Sequence, residues 1–216
     1  MLSASEIIDR LKLESGHPNR LSIVPCPQLE VLEDRGGTSI DLRLGRWFRS
    51  FKQSQHDHFK LWRDANAKKP SADQGALRSK EHFVRFGSEF VLHPGRFVLG
   101  VSLEWLTLPA TLSGYVTGKS SLGRHGLVIE TAAGLHPNFS GCLTLELANV
   151  GEVPLSISPG MEICQIFLHK TDGIKGHNPG TFSGQRKPSI RMPSEDQVFD
   201  RLRDFDARSR AAAGRT

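Results

Sequence analysis

Long apolar runs are missing from this chain of 216 residues. No stretch approaches the roughly 18 consecutive apolar residues that a membrane span requires, which excludes a helical membrane protein. The opening Met1-Leu2-Ser3-Ala4-Ser5-Glu6 lacks the basic and apolar regions of a secretory signal, so a soluble, cytoplasmic protein with no membrane partner is expected. Cysteine is scarce: Cys26, Cys142 and Cys164 are odd in number and widely spaced, which predicts reduced thiols and excludes a disulfide framework. No CxxC pair offers a zinc site. Hydrophobic residues make up 38% and charged residues 24%, apolar-poor for a globular chain but outside the disordered class. Turn formers are plentiful: 21 Gly and 12 Pro suit a turn-rich β protein, because helices tolerate neither inside. The net charge of +5 permits an anionic ligand, but no nucleic-acid motif accompanies it and no nucleic-acid partner is expected.

At roughly 150 residues per domain, one elaborate domain over residues 1–190 is expected, followed by a charged tail over 191–216. Ser3-x-x-Glu6 has capping-box spacing ahead of Ile7, Ile8, Leu11 and Leu13, which predicts a short amphipathic helix from Ala4 to Glu14. The period then changes. Leu21-Ser22-Ile23-Val24 and Ser39-Ile40-Asp41-Leu42-Arg43-Leu44 alternate apolar and polar residues, as half-buried strands do. From about 53 to 80 the chain is polar and reads as a surface insertion. From Glu89 to Lys170 short strands are punctuated by Pro and Gly, predicting a barrel or jelly roll. Leu92-His93-Pro94-Gly95 is echoed by Ile157-Ser158-Pro159-Gly160, suggesting related sheets. In the tail Val198, Phe199, Leu202 and Phe205 fall at helical spacing, so a short helix with a frayed end is expected.

Two segments have chemistry to offer. Gly118-Lys119-Ser120 is not a phosphate-binding P-loop, since the required upstream Gly is Ser113. What remains, Lys119-Ser120-Ser121-Leu122-Gly123-Arg124, is either an ordinary capped turn with exposed charges or a cradle for phosphate oxygens. In Cys142-Leu143-Thr144-Leu145-Glu146-Leu147-Ala148, alternation sends the three Leu side chains to one face and Cys142, Thr144, Glu146 and Ala148 to the other. Glu146 therefore either faces water or sits in a pocket with a cation, because burying a carboxylate unpaired is costly.

Taken in order, Ser39-Ile40-Asp41-Leu42-Arg43-Leu44-Gly45, Leu92-His93-Pro94-Gly95, Gly118 to Gly126, Phe139-Ser140-Gly141 through Leu145-Glu146-Leu147, and Pro159-Gly160-Met161-x-Ile163-x-Gln165 resemble bacterial and archaeal dCTP deaminases of the trimeric dUTPase superfamily. The resemblance runs from the first helix to about Pro188. It implies a mainly β fold, a distorted β-barrel of jelly-roll type with a short N-terminal helix, assembled as a homotrimer with active sites shared between subunits. It places the catalytic Ser and Arg on Ser120 and Arg124 and the general acid/base on Glu146. It assigns nucleotide contacts to Lys119, Ser121, Leu122, Gly123, Thr144, Leu145, Gln165 and, in a closing segment Phe182-Ser183-Gly184-Gln185, Gln185. Ser120 and a backbone carbonyl near Ala132 would orient water.

Three positions depart from the family. His136 stands, in Leu135-His136-Pro137-Asn138, where Ile-Asp-Pro-Gly is usual, and a tyrosine and a lysine of the closing segment align with Ile174 and Thr181; the resemblance still places His136, at the family's sugar contact, and Thr181 among the substrate-binding positions. Lys175, Arg186 and Lys187 are candidate substitutes for phosphate. The resulting expectation is hydrolytic deamination of dCTP to dUTP and ammonia, with Mg²⁺ carried by the triphosphate. No zinc is expected, because the H-x-E and P-C-x-x-C pattern of zinc deaminases is absent. A non-catalytic nucleotide-binding paralogue and a dUTP diphosphatase are the alternatives; His136 argues against the second, since the superfamily's pyrophosphate hydrolysis uses an acidic residue there.

Overall fold

The computed structural model describes residues 1–52, 79–129, 134–173, 183–190 and 196–202. The chain divides into two compact units, Met1–Lys52 with Ser79–Ser189, and Gln53–Arg78 with Ile190–Thr216. The described part of the second unit includes a helical stretch at 197–202, whose first turn is capped by Asp196: its Oδ1 accepts from the amides of Val198 (2.9 Å) and Phe199 (3.1 Å). The expected insertion lies outside the described residues except for Ser79 and Lys80.

The first unit opens with α1 (Ala4–Lys12). Ser3 Oγ accepts from the Glu6 amide and Glu6 Oε2 accepts from the Ser3 amide, completing the expected capping box. Ala4, Ile7 and Ile8 are buried. The helix stops at Lys12, short of the expected Glu14, because Leu13 turns extended. After β1 (Ser22–Val24) comes α2 (Leu29–Arg35). The sequence reading did not include α2, whose N-cap residue Gln28 makes no side-chain cap.

The remaining elements are almost all strands: β2 (Ser39–Arg43), β3 (Trp47–Phe51), β4 (Ser79–Phe83), β5 (Phe90–Leu92), β6 (Phe97–Val101), β7 (Trp105–Thr107), β8 (Leu112–Gly118), β9 (Leu127–Ile129), β10 (Gly134–Leu135), β11 (Ser140–Gly141), β12 (Thr144–Asn149), β13 (Leu155–Ile157) and β14 (Glu162–Lys170), with α3 (Ser120–Gly123), a single turn, between β8 and β9. They form a three-stranded sheet β1-β7-β11, a four-stranded sheet β10-β8-β14-β2, a five-stranded sheet β4-β3-β6-β12-β9 and a ribbon β13-β5. The architecture is mainly β with an N-terminal helix, as expected, but among the described residues the sheets stay open and no barrel closes. The strands that lead into the two echoing segments pair with each other: Leu92 with Leu155 and Phe90 with Ile157.

Alternation builds the core. Ile40, Leu42, Leu112, Val116, Ile166, Leu168, Leu145 and Leu147 are buried on the inner sides of their strands, each stabilising the fold by about 1.5–3 kcal/mol. Asn149, 1% exposed, ends β12; its amide donates to the carbonyls of Leu92 and Val153 and its oxygen accepts from the Gly151 amide. All three cysteines are free, and burial pushes the Cys164 thiol up to about 12. No helix among the described residues is long and apolar enough to cross a membrane.

Candidate active site

The chain leaves β8 at Gly118 and enters α3 through Lys119, whose carbonyl accepts from the amides of Leu122 and Gly123 at 3.0 Å. Leu122 packs against the core and anchors the turn, leaving Ser120, Ser121, Gly123 and Arg124 exposed. Lys119 is withdrawn. Its Nζ donates to Glu162 Oε2 at 2.8 Å and lies 3.0 Å from Asp41 Oδ2, reaching both across β14 and β2. Gln165 Nε2 donates to Asp41 Oδ1 at 3.2 Å. Arg35 also pairs with Asp41, and Arg43 with Glu162 at 3.3 Å. Burial opposes ionisation of Asp41, but the hydrogen bonds from Lys119 and Gln165 outweigh it and hold its carboxyl below the usual range. Burial also opposes the charge on Lys119, and the two carboxylates overcome it, raising the ammonium above its ordinary value.

The second group stands on β12. Leu145 and Leu147 point inward, and Thr144, Glu146 and Ala148 share the half-buried outer side. Glu146 lies opposite Leu99 of β6, which in turn faces Arg49 of β3. Over Thr144 runs a strap, Ser183 to Ser189. Gln185 Nε2 donates to Thr144 Oγ1 at 2.8 Å, Ser189 Oγ donates to Gln185 Oε1 at 2.9 Å, and Arg49 Nε donates to the Pro188 carbonyl at 3.0 Å. The backbone joins too: the amide of Gly184 donates to the Ser140 carbonyl and that of Cys142 to the Gln185 carbonyl. Gly141 makes this approach possible, because a Cβ there would sit 3.2 Å from the Gly184 nitrogen.

The dCTP deaminase-like family profile matches residues 1–171. The chain belongs to that family. The dUMP-forming dCTP deaminase of Corynebacterium diphtheriae is 46% identical over 159 residues, 70% of this chain and 80% of the relative. That of Mycobacterium bovis is 41% identical over 187 residues, 83% of this chain and 90% of the relative. The solved 2'-deoxycytidine 5'-triphosphate deaminase from Agrobacterium tumefaciens superposes with a TM-score of 0.54 at 20% identity, covering 77% of this chain and 47% of that one; it speaks to the fold alone.

In this dCTP deaminase-like chain the expected site residues fall into two separate groups. Lys119 to Arg124 and Gln165 stand on the four-stranded sheet and its exit turn; Thr144, Glu146 and Gln185 stand on the five-stranded sheet and its strap. The ion pairs found among the described residues do not join Arg124 to Glu146, although Glu146 has interactions of its own. Leu145 is fully buried, so its side chain is unavailable to a nucleotide and only its backbone remains. His136 is exposed on the turn between β10 and β11. Ala132, Ile174, Lys175 and Thr181 lie outside the described residues. Arg186 and Lys187, weighed above for phosphate, lie instead against the rings of Trp105 and Trp47.

The sequence reading missed a cleft of about 630 Å³ between α2, β2 and β14, into which Arg35, Asp41, Arg43, Glu104, Glu162 and Gln165 face. Glu104, 6% exposed, accepts from the Arg43 amide with both oxygens, and burial raises its carboxyl above the usual range. The available signal was Asp41 itself: between inward Ile40 and Leu42 it must face outward, where a half-buried carboxylate demands a cation.

Proposed function

We propose that this chain deaminates dCTP by hydrolysis, with Glu146 as the group that moves protons. The carboxylate takes a proton from water, the hydroxide adds to C4 of the cytosine ring, and the same proton passes to the amino group, which leaves as ammonia. Ser120 orients the water and Arg124 favours the ionised carboxylate. The observation that carries this reading is the arrangement of β12, where two inward leucines hold Thr144 and Glu146 outward beneath Gln185, in a chain 41–46% identical to enzymes named for dCTP deamination.

Ser120 and Arg124 stand exposed on the turn after β8 while Thr144 and Glu146 stand on β12 of another sheet, which supports a site completed by a second copy, as in the homotrimer the resemblance implies. Mixing Arg124→Ala chains with Glu146→Gln chains is expected to restore activity, and light scattering to give a trimer; a fully active monomer would defeat the shared site. Mg²⁺ enters with the triphosphate as part of the substrate. Zinc independence is supported by the missing ligand pattern, and activity restored only by zinc would overturn it.

The product departs from the reading of the sequence alone. The relatives are dUMP-forming, so dUMP with pyrophosphate replaces dUTP as the end product we favour; release of dUTP is the second reading, favoured by His136 in place of an acidic residue. The test is to incubate the protein with dCTP and Mg²⁺ and to separate nucleotides, ammonia and pyrophosphate. Ammonia with dUMP is expected; dUTP accumulating without pyrophosphate restores the second reading, and no ammonia sinks the deaminase.

A further inference from the structure

The strap over Thr144 has almost nothing apolar with which to hold itself in place: Ser183-Gly184-Gln185-Arg186-Lys187-Pro188-Ser189 contributes Pro188 alone. Its fixed position must come from polar and cationic contacts. The strap bends at Arg186 and Lys187, and the two side chains reach two different sheets. The Arg186 guanidinium lies 5.1 Å from the centroid of the Trp105 ring on β7, and the Lys187 ammonium 3.7 Å from that of Trp47 on β3.

Both rings are themselves held. Trp105 Nε1 donates to Ser140 Oγ at 3.1 Å, and Ser140 is the residue whose carbonyl receives the strap's Gly184 amide. Trp47 packs against Phe83 with centroids 4.8 Å apart, and Lys187 also lies 3.5 Å from Glu81 Oε2 on β4. The face of an aromatic ring attracts a cation through its quadrupole. Two such contacts straddling the strap fix where it lies along β12, and Gln185, next to Arg186, is thereby set against Thr144.

We propose that Trp47 and Trp105 are positioning residues for the substrate site, acting through Lys187 and Arg186 to hold Gln185 over Thr144. The site's role in nucleotide binding rests on the function proposed above; the holding of the strap does not. The hydrogen bond and ring contacts of the two tryptophans run to Ser140, Phe83 and the strap's own cations, so their effect is on substrate affinity and not on the proton transfers.

The experiment compares the full chain with Lys187→Met, Arg186→Met, Trp47→Leu and Trp105→Leu variants and with the Lys187→Met/Trp47→Leu double variant. Amide exchange at Gly184 and Cys142 reads strap docking without reference to activity. At surface sites each cation–ring contact is worth about a two- to fivefold change in an equilibrium, so each single variant is expected to speed these amides by about that factor. The double variant should add little to Lys187→Met, since both remove the same contact, and Lys187→Arg should keep the protection. KM for dCTP should rise by a similar factor with kcat within about twofold. Should a tryptophan variant fail to fold, the Lys187 and Arg186 variants, which alter only the strap, decide the matter. Unchanged exchange in those two overturns the proposal, as does faster exchange with unchanged KM. If the natural chain releases no ammonia, the deaminase reading fails on its own, and the dissociation constant of dCTP measured by calorimetry takes the place of KM.

Discussion

Around Lys119, carboxylates from β2 and β14 close on cations from α2, β2 and the β8 exit, so the charges on the four-stranded sheet are matched within one chain. Along β12 the arrangement differs. Thr144 is tied to the strap by a neutral hydrogen bond, and the cation assigned to work with Glu146, Arg124, stands exposed on a turn of another sheet. A matched cluster is a structural brace that a phosphate has to compete with, whereas an exposed Arg124 and a half-buried Glu146 on separate sheets suit a site that a second copy completes. Motif membership alone does not distinguish these roles: Lys119 and Arg124 sit five residues apart in one motif and face opposite demands.

The sharpest way to test this contrast is Glu146→Gln, which keeps the shape of the side chain and removes its proton acceptor. A drop of about 10²- to 10⁴-fold in kcat is expected, with thermal stability and nucleotide affinity largely kept; near-normal turnover would remove Glu146 from the chemistry. On the inner side of the same strand, Leu145→Ala should cost about 2–5 kcal/mol of unfolding free energy in denaturant titrations, because its side chain belongs wholly to the core. A loss below about 1 kcal/mol would contradict that packing.

Lys119→Met tests the brace. It leaves Asp41 and Glu162 with Arg35 and Arg43 but without their ammonium, and a loss of about 1–3 kcal/mol is expected near neutral pH. The sign follows from the shifts. The lowered Asp41 carboxyl stabilises the fold above its ordinary value of 3.8 and loses that contribution as pH falls through the lower folded value. The raised Lys119 ammonium stabilises it below 10.5 and loses that contribution as pH rises through the higher folded value. The difference between natural chain and variant should therefore be widest between those limits and shrink outside them. A variant as stable as the natural chain at pH 7, but weaker for dCTP, would return Lys119 to the phosphate role.

The smallest expected effect belongs to Glu104→Gln. Burial raises the Glu104 carboxyl, so the protonated form suits the fold and ionisation above the folded value costs stability. The amide oxygen still accepts from Arg43, and the variant should melt slightly higher than the natural chain at pH 8, with the advantage fading toward pH 4. An advantage that grows on acidification would reverse the argument.

Much of the fold was legible because the period of the side chains carries it. The capping box at Ser3 and Glu6, the alternation through β2 and β12 and the Pro-Gly turns each report local geometry. β3 and β4 escaped because they flank or enter polar sequence, where register with a neighbour decides what the segment becomes. α2 escaped because its N-terminus has no side-chain cap. The site divides in the same way: the outward direction of Glu146 was visible in alternation, but the partners of Lys119 come from residues 78 and 43 positions away, a distance at which no local pattern speaks.

By itself the sequence determined the mainly β class, the first helix, the inward leucines of β12 and the family, all of which follow from spacing within a few residues or from motifs kept in order. Tertiary structure alone decided that the sheets remain open among the described residues, that Lys119 is held by two carboxylates, and that Arg186 and Lys187 rest on tryptophans. The physical reason is that a charge or a ring has no fixed meaning along the chain: whether a lysine meets phosphate, carboxylate or indole depends on which strand the sheet brings beside it.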